Sequence, residues 1–115
     1  MSVKIYHNPR CGKSRQTLQL LQAQGVDVEI IEYLKTPPNA EELDDILQKL
    51  NMEPRELMRK KEAVYKESGL NNPSLDRQAL INGMINNPIL IERPLVITND
   101  KAAIGRPPET VLAIL

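Results

Sequence analysis

The chain has 115 residues and a formal net charge of zero, so it is long enough for one domain and lacks the basic excess of a general nucleic-acid binder. Its 41% hydrophobic and 26% charged residues are typical of a soluble globular protein, and no apolar run approaches the roughly 20 residues of a membrane span. The single cysteine excludes an internal disulfide, a dithiol redox pair and a cysteine-only metal site, and low cysteine content without a signal-peptide pattern predicts a cytoplasmic location.

The first third of the chain has the pattern of a βαβ unit. Residues 3–6 alternate apolar and polar character and predict a short strand, which a polar turn at 7–12 follows. A helix is predicted from about Ser14 to the stop signal at Gly25. The β-branched residues of 28–33 predict a second strand, which a βαβ connection makes parallel to the first.

The middle of the chain, about residues 39–87, has helical patterns throughout. Asn39 and Glu42 have the spacing of a capping box, in which each side chain accepts a hydrogen bond from the backbone N–H of the other. The apolar residues that follow at helical spacing are Leu43, Ile46, Leu47 and Leu50.

Two further helices are predicted in this middle part. A short one begins near Pro54 and is closed by the basic run 59–61, because positive charge suits a helix C-terminus. Another is capped by Ser74 or Asp76 and ends before Pro88. Its residues expected to face inward are Leu80, Ile81, Met84 and Ile85.

The last part predicts a hairpin and a final helix. Residues 95–98 form a continuous apolar run, which favours a strand covered on both faces, and residues 101–104 return antiparallel to it. Pro107 and Pro108 begin the helix, which carries Val111, Leu112 and Leu115. The prediction is a single α/β domain over residues 1–115, with helices flanking a small mixed sheet and a helical insertion between its two halves.

Cys11 is the leading candidate for chemistry. It precedes the first predicted helix, where unpaired N–H groups and the helix dipole lower a thiol pKa and favour the nucleophilic thiolate. Arg10, Lys13 and Arg15 provide nearby positive charge. His7 can donate a hydrogen bond, and the Ser14 hydroxyl can form a hydrogen bond with the sulfur. The alternative is a small buried apolar cysteine, which these polar neighbours disfavour. With one histidine and one cysteine, a zinc site is not expected.

Two arginines flank the predicted hairpin. Arg93 precedes Pro94, at a position where a cis bond would fix the approach of the loop, and Arg106 follows the second strand. Paired arginines bind oxyanions through bidentate hydrogen bonds, although a solvated surface charge is the usual state of an arginine. The basic run 59–61 does not by itself indicate a site.

In these segments the sequence resembles the glutaredoxin-coupled arsenate reductases of bacteria, a branch of the thioredoxin fold. The resemblance covers nearly the whole chain. It is carried by the segments His7 to Arg15 (HNPRCGKSR), Tyr33 to Pro38 (YLKTPP), Arg59-Lys60, Asn87 to Pro94 (NPILIERP) and Gly105-Arg106-Pro107 (GRP).

This resemblance implies roles for individual residues. It makes Cys11 the nucleophile that attacks arsenic. It also implies that three arginines bind the oxyanion, namely Arg59, Arg93 and Arg106. It makes His7 and Ser14 residues that tune the thiolate, and it makes the Arg93–Pro94 bond cis. It also implies arsenate or a similar oxyanion as substrate, glutathione as co-substrate and glutaredoxin as partner. We expect a monomer that needs no metal or tightly bound cofactor.

Two other functions fit the same fold. One is a redox-related regulator or adaptor that docks a partner such as RNA polymerase, although such regulators commonly carry C-x-x-C where this chain has Cys11 and Ser14. The other is the same thiol chemistry on a different substrate, such as a glutathione mixed disulfide.

Overall fold

The computed structural model describes residues 2–115, which divide into two compact units. The first unit joins Met1–Thr36, described from residue 2, to Arg93–Leu115. The second unit is the uninterrupted segment Pro37–Glu92, whose ends lie close to those predicted for the helical insertion.

The first unit contains a mixed four-stranded sheet, as predicted. Its strands are β1 (Val3–His7), β2 (Val28–Glu32), β3 (Leu95–Ile97) and β4 (Ala102–Ile104), in the order β2-β1-β3-β4. The β1 and β2 strands are parallel, whereas β3 is antiparallel to both β1 and β4. All three residues of β3 are buried, which confirms the strand expected to be covered on both faces.

Helix α1 (Gly12–Ala23) follows β1 and begins two residues earlier than the sequence pattern predicted. An apolar core forms on its side of the sheet from Val3, Ile5, Leu21, Val96, Ala103 and Val111. The buried face of α1 also carries Ser14 and Thr17, which a purely apolar pattern does not reveal.

The prediction of a final α-helix is wrong in type. Pro108–Ile114 forms a 3-10 helix, in which Val111 is buried but Leu112 is 39% exposed. With three residues per turn, successive side chains are about 120° apart around the helix axis, so Leu112 does not share the buried side of Val111.

In the second unit, α2 (Ala40–Leu50) begins at the predicted capping box. The Glu42 N–H donates to Asn39 Oδ1 at 2.8 Å, and the Asn39 N–H donates to Glu42 Oε1 at 2.9 Å. The helix ends at Asn51, whose left-handed backbone has a φ of 55°.

Helix α4 (Arg77–Asn86) packs against α2. Its cap is Asp76 rather than Ser74, because Asp76 Oδ1 accepts from the Ala79 N–H at 2.9 Å. The residues that the two helices bury are Leu43, Ile46 and Leu47 from α2, and Leu80, Ile81 and Met84 from α4. Ile85, which was expected to face inward, is only half-buried.

The segment between these helices differs from the prediction. The helix that begins at Pro54 is a 3-10 helix that ends at Leu57, so the basic run 59–61 does not close it. Instead Met58 pairs with Ile91, and the Arg59 N–H donates to the Leu90 carbonyl at 2.7 Å. A short helix, α3 (Ala63–Glu67), and a 3-10 turn at Pro88–Leu90 complete the unit. None of the described helices has the length and apolar character that crossing a membrane requires.

We expect Asn39→Ala to lower the free energy of unfolding by about 1 kcal/mol, because it removes the capping acceptor and leaves the Glu42 N–H without it. Denaturant unfolding followed by circular dichroism measures the change. Gln19→Ala, at an exposed position of α1, is the control. An Asn39→Ala protein as stable as the Gln19→Ala protein would show that the cap contributes nothing.

Candidate active site

Strand direction brings three separated segments to one edge of the sheet. Because β3 runs antiparallel to β1, Leu95 at its start pairs with Tyr6 near the end of β1. Because β4 runs antiparallel to β3, Ile104 at its end pairs with the same Leu95. The loop after β1, the residues before β3 and the residues after β4 therefore meet at this edge, and they carry Cys11, Arg93 and Arg106 respectively.

Cys11 is the N-cap residue of α1 and has an extended backbone, with φ −93° and ψ 123°. Its side chain is partly buried and makes no capping hydrogen bond among the described residues. Because the sulfur lies at the start of α1, the unpaired backbone N–H groups there act on it as partial positive charges. This is the arrangement that the sequence predicted for a reactive thiolate.

The electrostatic surroundings of Cys11 favour the thiolate. Burial by itself raises the pKa of the thiol, but the backbone N–H groups of Ser14 and Lys13 and the charges of Arg93 and Arg106 outweigh it, so the pKa of Cys11 lies below its usual value. Arg106 Nη1 lies 4.0 Å from the sulfur. The two arginines that flank the hairpin therefore act on the same sulfur atom.

His7 and Ser14 form a buried polar pair behind this loop. His7 Nδ1 lies 2.6 Å from Ser14 Oγ, and the Asn8 N–H donates to the same hydroxyl at 3.0 Å. Burial is the main cause that lowers the pKa of His7, with Arg15 acting in the same direction and Glu32 against it. The Ser14 hydroxyl thus bonds to His7 and Asn8, while the Ser14 backbone N–H acts on Cys11.

The loop between β1 and α1 has hydrogen bonds that the sequence reasoning missed. The Cys11 N–H donates to the Asn8 carbonyl at 3.0 Å, and the Arg10 N–H donates to Asn8 Oδ1 at 3.0 Å. The Arg15 guanidinium donates to the Pro9 carbonyl at 3.0 Å. The Asn8-Pro9 pair is a turn signal, and an asparagine that bonds the backbone two residues on is what such a turn requires.

Both arginines of the hairpin precede cis proline bonds. The Arg93–Pro94 bond is cis, as predicted, and the Arg106–Pro107 bond is also cis, which the sequence reasoning did not anticipate.

Arg59 lies in the second unit and has its described contacts there. Its backbone N–H pairs with Leu90, and its Nη2 lies 3.8 Å from Glu62 Oε2. A role for Arg59 in binding an oxyanion stays a prediction.

No group of three or more histidine, cysteine, aspartate or glutamate side chains in residues 2–115 is arranged to hold a metal ion. A cleft of about 330 Å³ opens beside the loop of Cys11, at the ends of the parallel strands β1 and β2. Its lining residues are His7, Asn8, Pro9, Arg10, Glu32, Leu34 and Lys35.

Comparison with known proteins identifies the family of this chain. Residues 6–114 match the model of the ArsC family. The chain belongs to the ArsC family. It is 50% identical to an arsenate reductase of Neisseria meningitidis over 114 residues, which cover 98% of this chain and 97% of that protein. It is 57% identical to the uncharacterized protein YfgD of Escherichia coli over 98% of this chain and 96% of that protein.

Among solved structures, the arsenate reductase of Vibrio cholerae superimposes with a TM-score of 0.95 at 52% identity, covering 100% of this chain and 98% of that one. The fold of this ArsC-family chain is therefore the thioredoxin-like α/β arrangement that the sequence predicted.

We expect alkylation of Cys11 by iodoacetamide to show a sigmoidal pH profile with a midpoint below the usual thiol value of about 8.5. A lowered pKa means that thiolate persists to lower pH, so the reaction falls off only as the pH drops through the lowered value. Arg106→Ala removes a positive charge that favours the thiolate, and its midpoint moves up.

The matched control for that experiment is Arg10→Ala, an exposed arginine next to Cys11 in the chain. Its midpoint is expected to stay near that of the unmodified protein. Equal shifts in both variants would mean that general positive charge, rather than the placement of Arg106, governs the thiol.

Ser14→Ala separates packing from thiolate tuning. It leaves the Asn8 N–H and His7 Nδ1 without their buried partner, so the free energy of unfolding falls by about 1–3 kcal/mol. It retains the Ser14 backbone N–H, so the midpoint of Cys11 alkylation stays low. Urea unfolding and the alkylation profile measure the two effects, with exposed Ser68→Ala as control. A midpoint that rises to the usual thiol value would assign the tuning to the hydroxyl.

Proposed function

We propose that this ArsC-family protein reduces arsenate to arsenite, with Cys11 as the nucleophile and external thiols as the source of electrons. The observation that carries the proposal is the placement of Cys11 at the N-terminus of α1 with Arg106 Nη1 4.0 Å from its sulfur. A thiolate beside a guanidinium suits an anionic electrophile, and relatives at about half identity carry the name arsenate reductase.

Arginines overcome the repulsion between a thiolate and an anionic substrate. Arg93 and Arg106 already favour negative charge at the sulfur, so they also favour an oxyanion next to it. The resemblance to arsenate reductases implies that Arg59 also binds the oxyanion. Its partner Glu62 is a partly exposed carboxylate 3.8 Å away, and such pairs are weak enough for an oxyanion to compete.

The first chemical step forms a bond between Cys11 Sγ and arsenic. One arsenic–oxygen bond breaks, and its oxygen takes up protons and leaves as water. The arsenic remains in the pentavalent state, since sulfur has replaced oxygen and no electrons have been transferred. The lowered pKa of Cys11 increases the fraction of thiolate, which is the form that this step needs.

The second step is the reduction itself. An external thiolate attacks Cys11 Sγ and forms a mixed disulfide, and the electron pair of the sulfur–arsenic bond stays on arsenic, which leaves as arsenite. A second external thiol then attacks the mixed disulfide and releases Cys11. Two external thiols thus supply the two electrons, because the chain has only one cysteine.

Glutathione, with glutaredoxin to resolve the mixed disulfide, is the electron donor that we propose. No metal or tightly bound organic cofactor enters these steps.

The buried His7–Ser14 pair positions the loop of Cys11, because the two side chains contact each other behind the loop and the Ser14 hydroxyl accepts from the Asn8 N–H.

The assay that tests this function supplies purified protein with arsenate, glutathione and glutaredoxin and follows glutathione oxidation. We expect oxidation that depends on arsenate, abolished by Cys11→Ser because the sulfur that bonds arsenic is lost. Arg106→Ala lowers kcat/KM for arsenate by roughly tenfold or more, because it removes a charge-assisted contact. Arg10→Ala, the exposed control, retains the activity.

Replacing glutathione and glutaredoxin by thioredoxin and its reductase tests the identity of the donor. Activity with thioredoxin alone would keep the arsenate step and overturn the proposed glutathione coupling. Absence of arsenate-dependent oxidation with either donor would overturn arsenate reduction and favour a docking regulator or another thiol substrate.

A further inference from the structure

We propose that Thr17 and Gly105 are positioning residues: the close contact between them seats the segment that carries Arg106 against α1 and places its guanidinium beside Cys11. The described geometry of the first unit carries this inference. Only its consequence for oxyanion binding rests on the proposed function.

Gly105 lies where no side chain fits. A Cβ atom on Gly105 would lie 2.5 Å from Thr17 Oγ1, 3.0 Å from Thr17 Cγ2 and 2.8 Å from Pro94 Cγ. Contacts below 3.0 Å require a neighbour to move, and Thr17 and Pro94 both have short, stiff side chains. The crowding therefore comes from two sides that cannot simply swing away.

Hydrogen bonds hold the three residues in this arrangement. The Gly105 N–H donates to the Pro94 carbonyl at 2.9 Å. The Thr17 hydroxyl donates to the Lys13 carbonyl at 2.8 Å, and its oxygen lies 3.4 Å from the Gly105 carbonyl, so the first turn of α1 and the residue after β4 are in direct contact. Thr17 is fully buried, where an ordinary surface threonine would be solvated.

Each partner in this contact is connected along the chain to a residue of the site. Pro94 directly follows Arg93, Gly105 directly precedes Arg106, and Thr17 lies on the helix that begins after Cys11. Separating Gly105 from Thr17 must therefore move Arg106 relative to the sulfur, which now lies 4.0 Å from Nη1. A displacement of about 1 Å is enough to cost a catalytic contact most of its effect.

The experiment uses Gly105→Ala and two readouts: the pH midpoint of Cys11 alkylation, and the protection of Cys11 from iodoacetamide by arsenate or sulfate. We expect the midpoint to rise toward that of Arg106→Ala, and the anion concentration for half-protection to rise roughly tenfold or more. The first readout needs no arsenate chemistry, so it tests the positioning even if the proposed reaction is wrong.

Rescue distinguishes positioning from a general loss of stability. Thr17→Ala removes Oγ1 and Cγ2, the two Thr17 atoms that a Cβ on Gly105 would meet. The double variant Thr17→Ala with Gly105→Ala keeps the 2.8 Å contact with Pro94 Cγ, so it is expected to fold better than Gly105→Ala and to recover part of the low midpoint. Because the rescue removes the atom nearest to the added Cβ, Thr17 Oγ1, it also tests the proposal if Gly105→Ala alone does not fold.

Gly83→Ala is the matched control. A Cβ on Gly83 would lie 2.5 Å from Leu70 Cδ2, an equally close contact, but in the second unit and against a flexible side-chain end. It is expected to change stability at most and to leave both Cys11 readouts unchanged. A folded Gly105→Ala protein with native midpoint and native anion protection would overturn the proposal, as would a folded double variant whose midpoint is no lower than that of Arg106→Ala.

Discussion

The direction of β1 relative to its neighbours decides which residues meet at Cys11. A strand parallel to β1 brings its end to this edge, and an antiparallel strand brings its start. The antiparallel β3 therefore delivers Arg93, and β4, reversed again, delivers Arg106. A parallel β3 would have placed Arg93 at the opposite edge of the sheet, and the thiolate would have lost that positive charge.

The local charge balance at this edge differs from the net charge of zero over the chain. Partial burial of Cys11 opposes ionisation, while helix N–H groups and two guanidinium groups favour it, and the favourable contributions prevail. The partial exposure of Cys11 contributes to this balance, because a fully buried thiol with the same neighbours would have a larger desolvation cost and a higher pKa. Partial exposure keeps this desolvation cost smaller and leaves the sulfur accessible to an anion.

Local signals predicted local structure well. The capping box of Asn39 and Glu42 formed as expected, because both partners lie within one helical turn. The basic run 59–61 does not end a helix as its charge predicts, because the residue before it, Met58, pairs with Ile91 far along the chain. The short α3 helix was missed, since five residues give too little periodicity to detect.

The sequence by itself determined the α/β class, the mixed sheet and the candidacy of Cys11, because these follow from hydrophobic period, turn signals and a single thiol before a helix. Only the tertiary structure decided that Arg106 reaches the sulfur, that the Ser14 hydroxyl bonds to His7 and Asn8, and that Thr17 and Gly105 touch. Arg106 and Cys11 are distant in the chain, as are Thr17 and Gly105, and all of these contacts depend on packing within an ångström, which residue spacing alone does not encode.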